Sequence, residues 1–429
     1  MISMREKLAM HGGTPVIRES FPPYRSLGAE EIEAVNRVLE TGVLSAYVGA
    51  PGDGFMGGAE VRAFESEAAT YFGTRHAIAV NSWTSGLIAA VGAIGTEPGD
   101  EIIVTPWTMA ASATAIVHWN AIPVFADIDA RTFNIDPRAV EEAITPRTRA
   151  IMAVDIFGQS ADMDGLRAIA ARHRVKLLSD TAQAPGARYK NRFAGTLADI
   201  GGFSLNYHKH IHCGEGGVLV TDDDRYAQRL RLIRNHGEAV IKSDDPAELA
   251  NVIGYNFRLG EIESAIARAQ LRKLADKVAS RQRAAKRISE GLSGLSGLVL
   301  PEVSPDCTHV YYVFGMRLEL ERLGVERAAI VTALRAEGMT GLGAGYQNVH
   351  RLPMFLHGIA YGANGFPWRG MDAATQRRPS TQPCPVAERL HEKEFFFLNV
   401  CAHEYTPAET ELVIAAFHKV WENLKSLRA

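Results

Sequence analysis

Between about residues 76 and 221, short apolar runs alternate with stretches of helical periodicity. The runs are His76–Val80, Glu101–Val104, Ile122–Ala126, Ala150–Val154, Val175–Ser179, Ile200–Leu205 and Gly217–Thr221. Helices are predicted between them over Ser85–Ala93, Pro137–Ala143 and Met163–Arg172, the second opened by Asp136 as N-cap with Pro137 at its first position. Runs this apolar read as strands buried on both faces, so the pattern predicts an α/β fold with a seven-stranded, mostly parallel sheet. Such sheets bind ligands at the carboxyl ends of their strands. An acidic helix is predicted over Ala29–Thr41, and a long one over Leu259–Leu292 that bridges two domains. A strand over Val310–Leu318 and helices over Pro407–Leu427 suit a smaller C-terminal α+β domain. The expected division is 1–270 (N-terminal segment and large domain) and 271–429, with Tyr346–Pro385 interrupting the second as an insertion.

Composition narrows this picture. A chain of 429 residues is too long for one compact core, and 46% hydrophobic with 22% charged residues is ordinary for a globular protein. A net charge of −3 supplies no field for nucleic acid or an anionic membrane. Two stretches lack Asp, Glu, Lys and Arg, Ala77–Thr96 and Thr105–Ala126. Polar residues and prolines interrupt both, which excludes membrane spans and favours buried strand–helix units. Cys213, Cys307, Cys384 and Cys401 are scattered, as in a reducing compartment, and Met1–Met10 has no apolar leader. A cytoplasmic protein is expected.

The chemistry concentrates in Gly202-Phe203-Ser204-Leu205-Asn206-Tyr207-His208-Lys209-His210-Ile211-His212-Cys213-Gly214-Glu215-Gly216-Gly217. A lysine beside a loop of small residues, close to three histidines, is a candidate nucleophile if burial lowers its pKa. Taken alone, an exposed loop lysine is the plainer reading. His208, His210 and His212 alternate like metal ligands on a strand, but no further ligand lies at suitable spacing, and no metal is predicted. Asp180 ends a predicted strand one crossover before Lys209. Pyridoxal phosphate (PLP) needs such a carboxylate at its pyridine nitrogen. Val80-Asn81-Ser82-Trp83-Thr84-Ser85-Gly86 runs from strand through hydroxyl-bearing turn to helix, a form that cradles phosphate or merely caps the helix. Ser204 adds another hydroxyl.

Together these segments resemble the DegT/StrS sugar aminotransferase family of fold-type I PLP enzymes. The resemblance rests on Asp180-Thr181-Ala182-Gln183 and on Phe203 to Lys209 followed by Gly214-Glu215-Gly216-Gly217. It extends to Met10–Val16, Gly58–Glu65, Arg234-Asn235-His236-Gly237 and Gly254-Tyr255-Asn256-Phe257-Arg258. It implies that Lys209 holds PLP as a Schiff base and moves the proton, and that Asp180 pairs with the pyridine nitrogen. It further implies phosphate contacts from Thr84, Ser85 and Ser204, with Gln183 near the ring's phenolic side. Asn256 is implied to reach the phosphate from a neighbouring subunit, making an obligate homodimer with shared sites. The chain departs from the family pattern at Met109, where an aromatic commonly stacks on the ring, with Trp107 expected to point elsewhere. Further departures are Trp83 in place of the turn glycine and Asn206 in place of a histidine. Residues 46–57 and Tyr346–Pro385 look inserted. Within the second, Arg351, Arg369, Arg377 and Arg378 stand against a single acid, Asp372. A solvated loop is the plainer reading; the sharper one is an anion clamp over the site, which makes Arg351, Arg377 and Arg378 candidate substrate contacts, with Tyr346 a further candidate.

The implied activity moves an amino group from glutamate or glutamine to a keto-sugar, keto-cyclitol or related ketone. Two alternatives stand beside it: a PLP-dependent sugar dehydratase or deoxygenase of the same fold, and a non-catalytic regulator. Relatives of the deoxygenating type replace the lysine with histidine, whereas Lys209 is present here.

Overall fold

The computed structural model describes residues 6–369 and 383–428. Its large sheet contains β1 (His76–Val80), β2 (Glu101–Val104), β3 (Ile122–Phe125), β4 (Thr148–Val154), β5 (Lys176–Asp180), β6 (Ile200–Ser204) and β7 (Gly217–Thr221). They lie in the order β1-β7-β6-β5-β4-β2-β3. Neighbours from β6 through β5, β4 and β2 to β3 are parallel, while β7 runs antiparallel to both β6 and β1. The helices are α1 (Ala29–Thr41), α2 (Ala59–Phe72), α3 (Trp83–Ala93), α4 (Ala111–His118), α5 (Pro137–Ala143), α6 (Met163–His173) and α7 (Asp224–Arg234), followed by α8 (Glu261–Leu292), α9 (Arg327–Ala336) and α10 (Pro407–Glu422). Asp136 caps α5, its carboxylate accepting from the Arg138 N–H at 2.9 Å.

The two charge-free stretches become β1–α3 and α4–β3, and both pack into one apolar cluster with Ile78, Leu87, Ile116 and Ile122 buried. Helices α5 and α6 cover the sheet's other face through Val140, Leu166 and Ile169 against Ile103 and Ile151. A second sheet, β8 (Leu298–Val299), β9 (Phe314–Leu318), β10 (Leu342–Ala344) and β11 (Phe395–Leu398), is antiparallel in the order β8-β9-β11-β10.

Packing does not follow a division at residue 270. Helix α8 places Leu271, Leu274 and Val278 against the large domain and Ala285, Ile288 and Leu292 in the small-domain core. The N-terminal segment sends Leu8, Ile17 and Phe21 into that small-domain core. Phe355, Trp368 and Cys384, from the 346–385 insertion, join the large cluster instead. Short apolar anchors flanked by loop residues carry no periodicity, so their destination is set by tertiary packing alone.

Candidate active site

At the carboxyl ends of β5 and β6, one cavity is lined by Thr84, Met109, Asp180, Gln183, Ser204 and Lys209. Lys209 lies in the loop between β6 and β7, which closes at its base where the Leu205 N–H donates to the Gly216 carbonyl at 2.9 Å and the Cys213 N–H to the Leu205 carbonyl at 3.1 Å. Gly214 makes the turn with φ of +92°, a conformation that favours glycine. Asn206 Nδ2 donates to Glu215 Oε1 at 2.8 Å across the loop.

The lysine is 7% exposed, and its Nζ sits 4.3 Å from the centre of the Tyr312 ring. Among the described residues no carboxylate pairs with this ammonium. Burial lowers its pKa from 10.5 to about 8, against opposing contributions from Asp180 and Cys401. A neutral amine is thus within reach near neutral pH, as a nucleophilic lysine requires. The flanking histidines do not converge. Burial, then the Lys209 charge, lowers His208 to about 4, and its ring stands beside Tyr207 and Tyr312. His210 turns inward to bond the Val310 carbonyl at 2.7 Å. This stretch is a series of turns, not the extended strand that would align three imidazoles.

Asp180 ends β5 with both carboxylate oxygens engaged. Oδ1 accepts from Trp83 Nε1 at 2.7 Å and from the Ala182 N–H at 3.2 Å, while Oδ2 accepts from Ser112 Oγ at 2.7 Å. Ser112 in turn bonds Thr108 Oγ1 at 2.7 Å. Gln183 accepts from the Phe157 N–H and donates to Tyr346 Oη, each at 3.0 Å. Tyr346, pushed up to about 12 by burial, thereby joins the site.

At the start of α3, Ser82 is the N-cap, its Oγ accepting from the Ser85 N–H at 3.0 Å. Ser85 is buried just behind the cavity and donates to Asn81 Oδ1 at 2.7 Å, whereas Thr84 is exposed at the cavity's edge. The first N–H groups of a helix have no internal acceptor and face an anion well, so this end suits a phosphate. Asn256 is exposed, and its carbonyl accepts from Asn81 Nδ2 at 3.3 Å. Met109 is 60% exposed over the cavity, while Trp107 is fully buried and donates from Nε1 to Asn348 Oδ1 at 2.9 Å.

The candidate substrate residues separate. Arg351 is outside the cavity lining and pairs with Glu388 and with Glu392, the latter at 3.7 Å. Two carboxylates thus occupy the guanidinium proposed for the clamp. Arg377 and Arg378 lie outside the described residues. Sequence reasoning passed over Ser112, Tyr312 and the role of the Trp83 indole. Ser112 lies one helical turn beyond Thr108, a faint local signal; nothing in sequence spacing brings Tyr312 to Lys209.

A buried amine, a carboxylate on the same cavity and a helix N-terminus at its edge fit PLP in charge and chemistry. Comparison with known proteins agrees. Residues 26–370 match the model of the DegT/DnrJ/EryC1/StrS aminotransferase family. The spore coat polysaccharide biosynthesis protein SpsC of Bacillus subtilis is 36% identical over 82% of this chain and 89% of its own. A putative L-glutamine:3-amino-2,3-dideoxy-scyllo-inosose aminotransferase of Streptoalloteichus tenebrarius is 33% identical over 99% and 100%. S. venezuelae DesV, solved in complex with a ketimine intermediate, superposes with a TM-score of 0.75 at 32% identity over 92% of this chain and 95% of that one. The chain belongs to the DegT/DnrJ/EryC1/StrS aminotransferase family and is a PLP-dependent aminotransferase.

Proposed function

We propose that this enzyme takes an amino group from glutamate or glutamine and delivers it to a keto-sugar, keto-cyclitol or related ketone, with Lys209 as the lysine that carries PLP. The observation behind this reading is the buried Lys209 Nζ sharing one cavity with Asp180. When bound, PLP supplies an electron sink that makes the donor's Cα proton removable. The residues do the rest. Lys209 Nζ would hold the cofactor and, as a neutral amine, would take up the proton that bound PLP makes removable from the donor's Cα. Asp180 would hold the pyridine nitrogen, and Thr84, Ser85 and Ser204 would hold the phosphate. Gln183, fixed by Tyr346, would lie on the phenolic side of the cofactor, and Met109 would take the place of the aromatic that commonly stacks there.

The acceptor class rests on the chain's likeness both to a polysaccharide biosynthesis protein and to a protein named for an inosose. Asn256 is assigned to the neighbouring subunit's phosphate, so the working unit is a homodimer. Apolar Ile253 and Tyr207, 65% and 68% exposed and close in sequence to Asn256 and Lys209, supply surface for that contact. Four cysteines scattered along the chain suit a reducing cytoplasm.

Adding glutamate or glutamine to the PLP-loaded protein should shift its visible absorption band and release the matching keto acid stoichiometrically. Supplying a keto-sugar or keto-cyclitol should restore the band. A PLP-supplemented Lys209→Ala protein transaminating at the wild-type rate would overturn the assignment.

A further inference from the structure

Trp83 occupies the first position of α3, yet its side chain turns away from the helix end and is 7% exposed. Two glycines make the slot it fills. A Cβ on Gly86 would stand 2.8 Å from the ring's Cε3, and one on Gly202 2.5 Å from its Cζ3. Any side chain at either position would push the indole out. The slot therefore fixes the ring, and with it the single N–H, which meets Asp180 Oδ1 at 2.7 Å. Ser112 grips the other oxygen at 2.7 Å. Donors from the first turns of two helices, α3 and α4, thus hold the carboxylate from opposite sides, while Asp180 still lines the cavity. An indole donates only. It can orient a carboxylate without competing for the proton that the carboxylate must keep on its other partner.

We propose that Trp83 is a positioning residue for the cofactor: its N–H locks the Asp180 carboxylate in the orientation that receives the pyridine nitrogen. This rests on the reading of Asp180 given above. A substitution of Trp83 by Phe keeps an aromatic body in the slot and removes the N–H. We expect the PLP dissociation constant of Trp83→Phe to rise roughly tenfold, as for a lost hydrogen bond to a charged group. The visible circular dichroism of the bound cofactor should weaken as its ring loses a fixed tilt. In an Asp180→Asn background the same substitution should change PLP affinity less than about twofold, because the group it orients is gone. An equal effect in both backgrounds means a packing role only and overturns the proposal, as does no effect in the wild-type background. If Asp180→Asn alone leaves affinity and dichroism unchanged, the reading of Asp180 fails first. If Asp180→Asn weakens binding while Trp83→Phe does not, the present proposal fails alone. Should Trp83→Phe not fold, benzothienylalanine incorporated at position 83 keeps the bicyclic shape without the N–H, and the same outcomes decide.

Discussion

A buried amine with no paired carboxylate among the described residues is a standing cost, and Lys209 shows its size. Its folded pKa of about 8 lies below the 10.5 of the unfolded chain, so below pH 8 folding must desolvate a charge. That gap corresponds to about 3 kcal/mol. Between these two values the unfolded state holds more proton, so the cost is full below pH 8 and fades as the pH rises to 10.5. Lys209→Met should therefore raise the apo-protein's urea midpoint at pH 7 by an amount equivalent to roughly 2–3 kcal/mol, with the gain shrinking above pH 8. A midpoint unchanged or lowered at pH 7 would contradict the burial argument. That Asp180 and Ser204 end strands, with Lys209 in the loop just beyond, was legible in the sequence from the apolar runs of β5 and β6. The grip on Asp180 was not, since its donors are 97 and 68 positions away and meet it only once the sheet has formed.

Among the elements, strand and helix bounds were read closely because apolar runs and caps mark them locally. The direction of β7 was not, because an apolar run has no sense of direction; its pairing with β6 and β1 is a property of the assembled sheet. One ion pair ties three of these elements together. Arg234 of α7, fully buried, bonds Glu65 of α2 and also donates to the Ala79 carbonyl in β1 at 3.0 Å. The Glu65 Oε1 further accepts from the Ala79 N–H at 2.9 Å. Removing one partner leaves an uncompensated buried charge, so Glu65→Gln should cost about 3–5 kcal/mol in denaturant titration. A Glu65→Leu, Arg234→Met double variant should recover much of that loss. At β6, Gly202→Ala would set its Cβ 2.2 Å from the Val218 carbonyl oxygen as well as against Trp83. Both the backbone and a ring held in its slot must move, so a loss of about 1–3 kcal/mol is expected; an unchanged denaturation midpoint would show that the slot yields.

For the whole molecule, α8 joins two cores that the sequence divided too simply, and the N-terminal segment crosses to the far one. Isolated anchors such as Leu8 and Trp368 carry no pattern that names their destination. The proposed shared-site dimer makes a quantitative forecast at this scale. Lys209→Ala and Asn256→Asp homodimers should each be nearly inactive at limiting PLP. When they are dissociated and reassociated together, half the dimers pair unlike chains, and each such dimer holds one intact site. Recovery of roughly a quarter of wild-type activity is expected from this symmetry; no recovery on mixing would place Asn256 in its own chain's site.

Asn81 gives this assembly a further property. Its N–H donates to the Phe257 carbonyl at 2.9 Å, its amide to the Asn256 carbonyl at 3.3 Å, and its side-chain oxygen receives Ser85 at 2.7 Å. One residue thus splices the turn at the start of α3 to the segment assigned to the neighbouring subunit. In the proposed dimer, ligand occupancy and subunit association would draw on the same free energy, and by mass action each would strengthen the other. Enzyme starved of cofactor should dissociate at protein concentrations where the loaded form stays paired, and analytical ultracentrifugation with and without PLP would reveal the difference. For a cell short of the vitamin, that linkage would make the enzyme's lifetime, and not only its turnover, a gauge of cofactor supply.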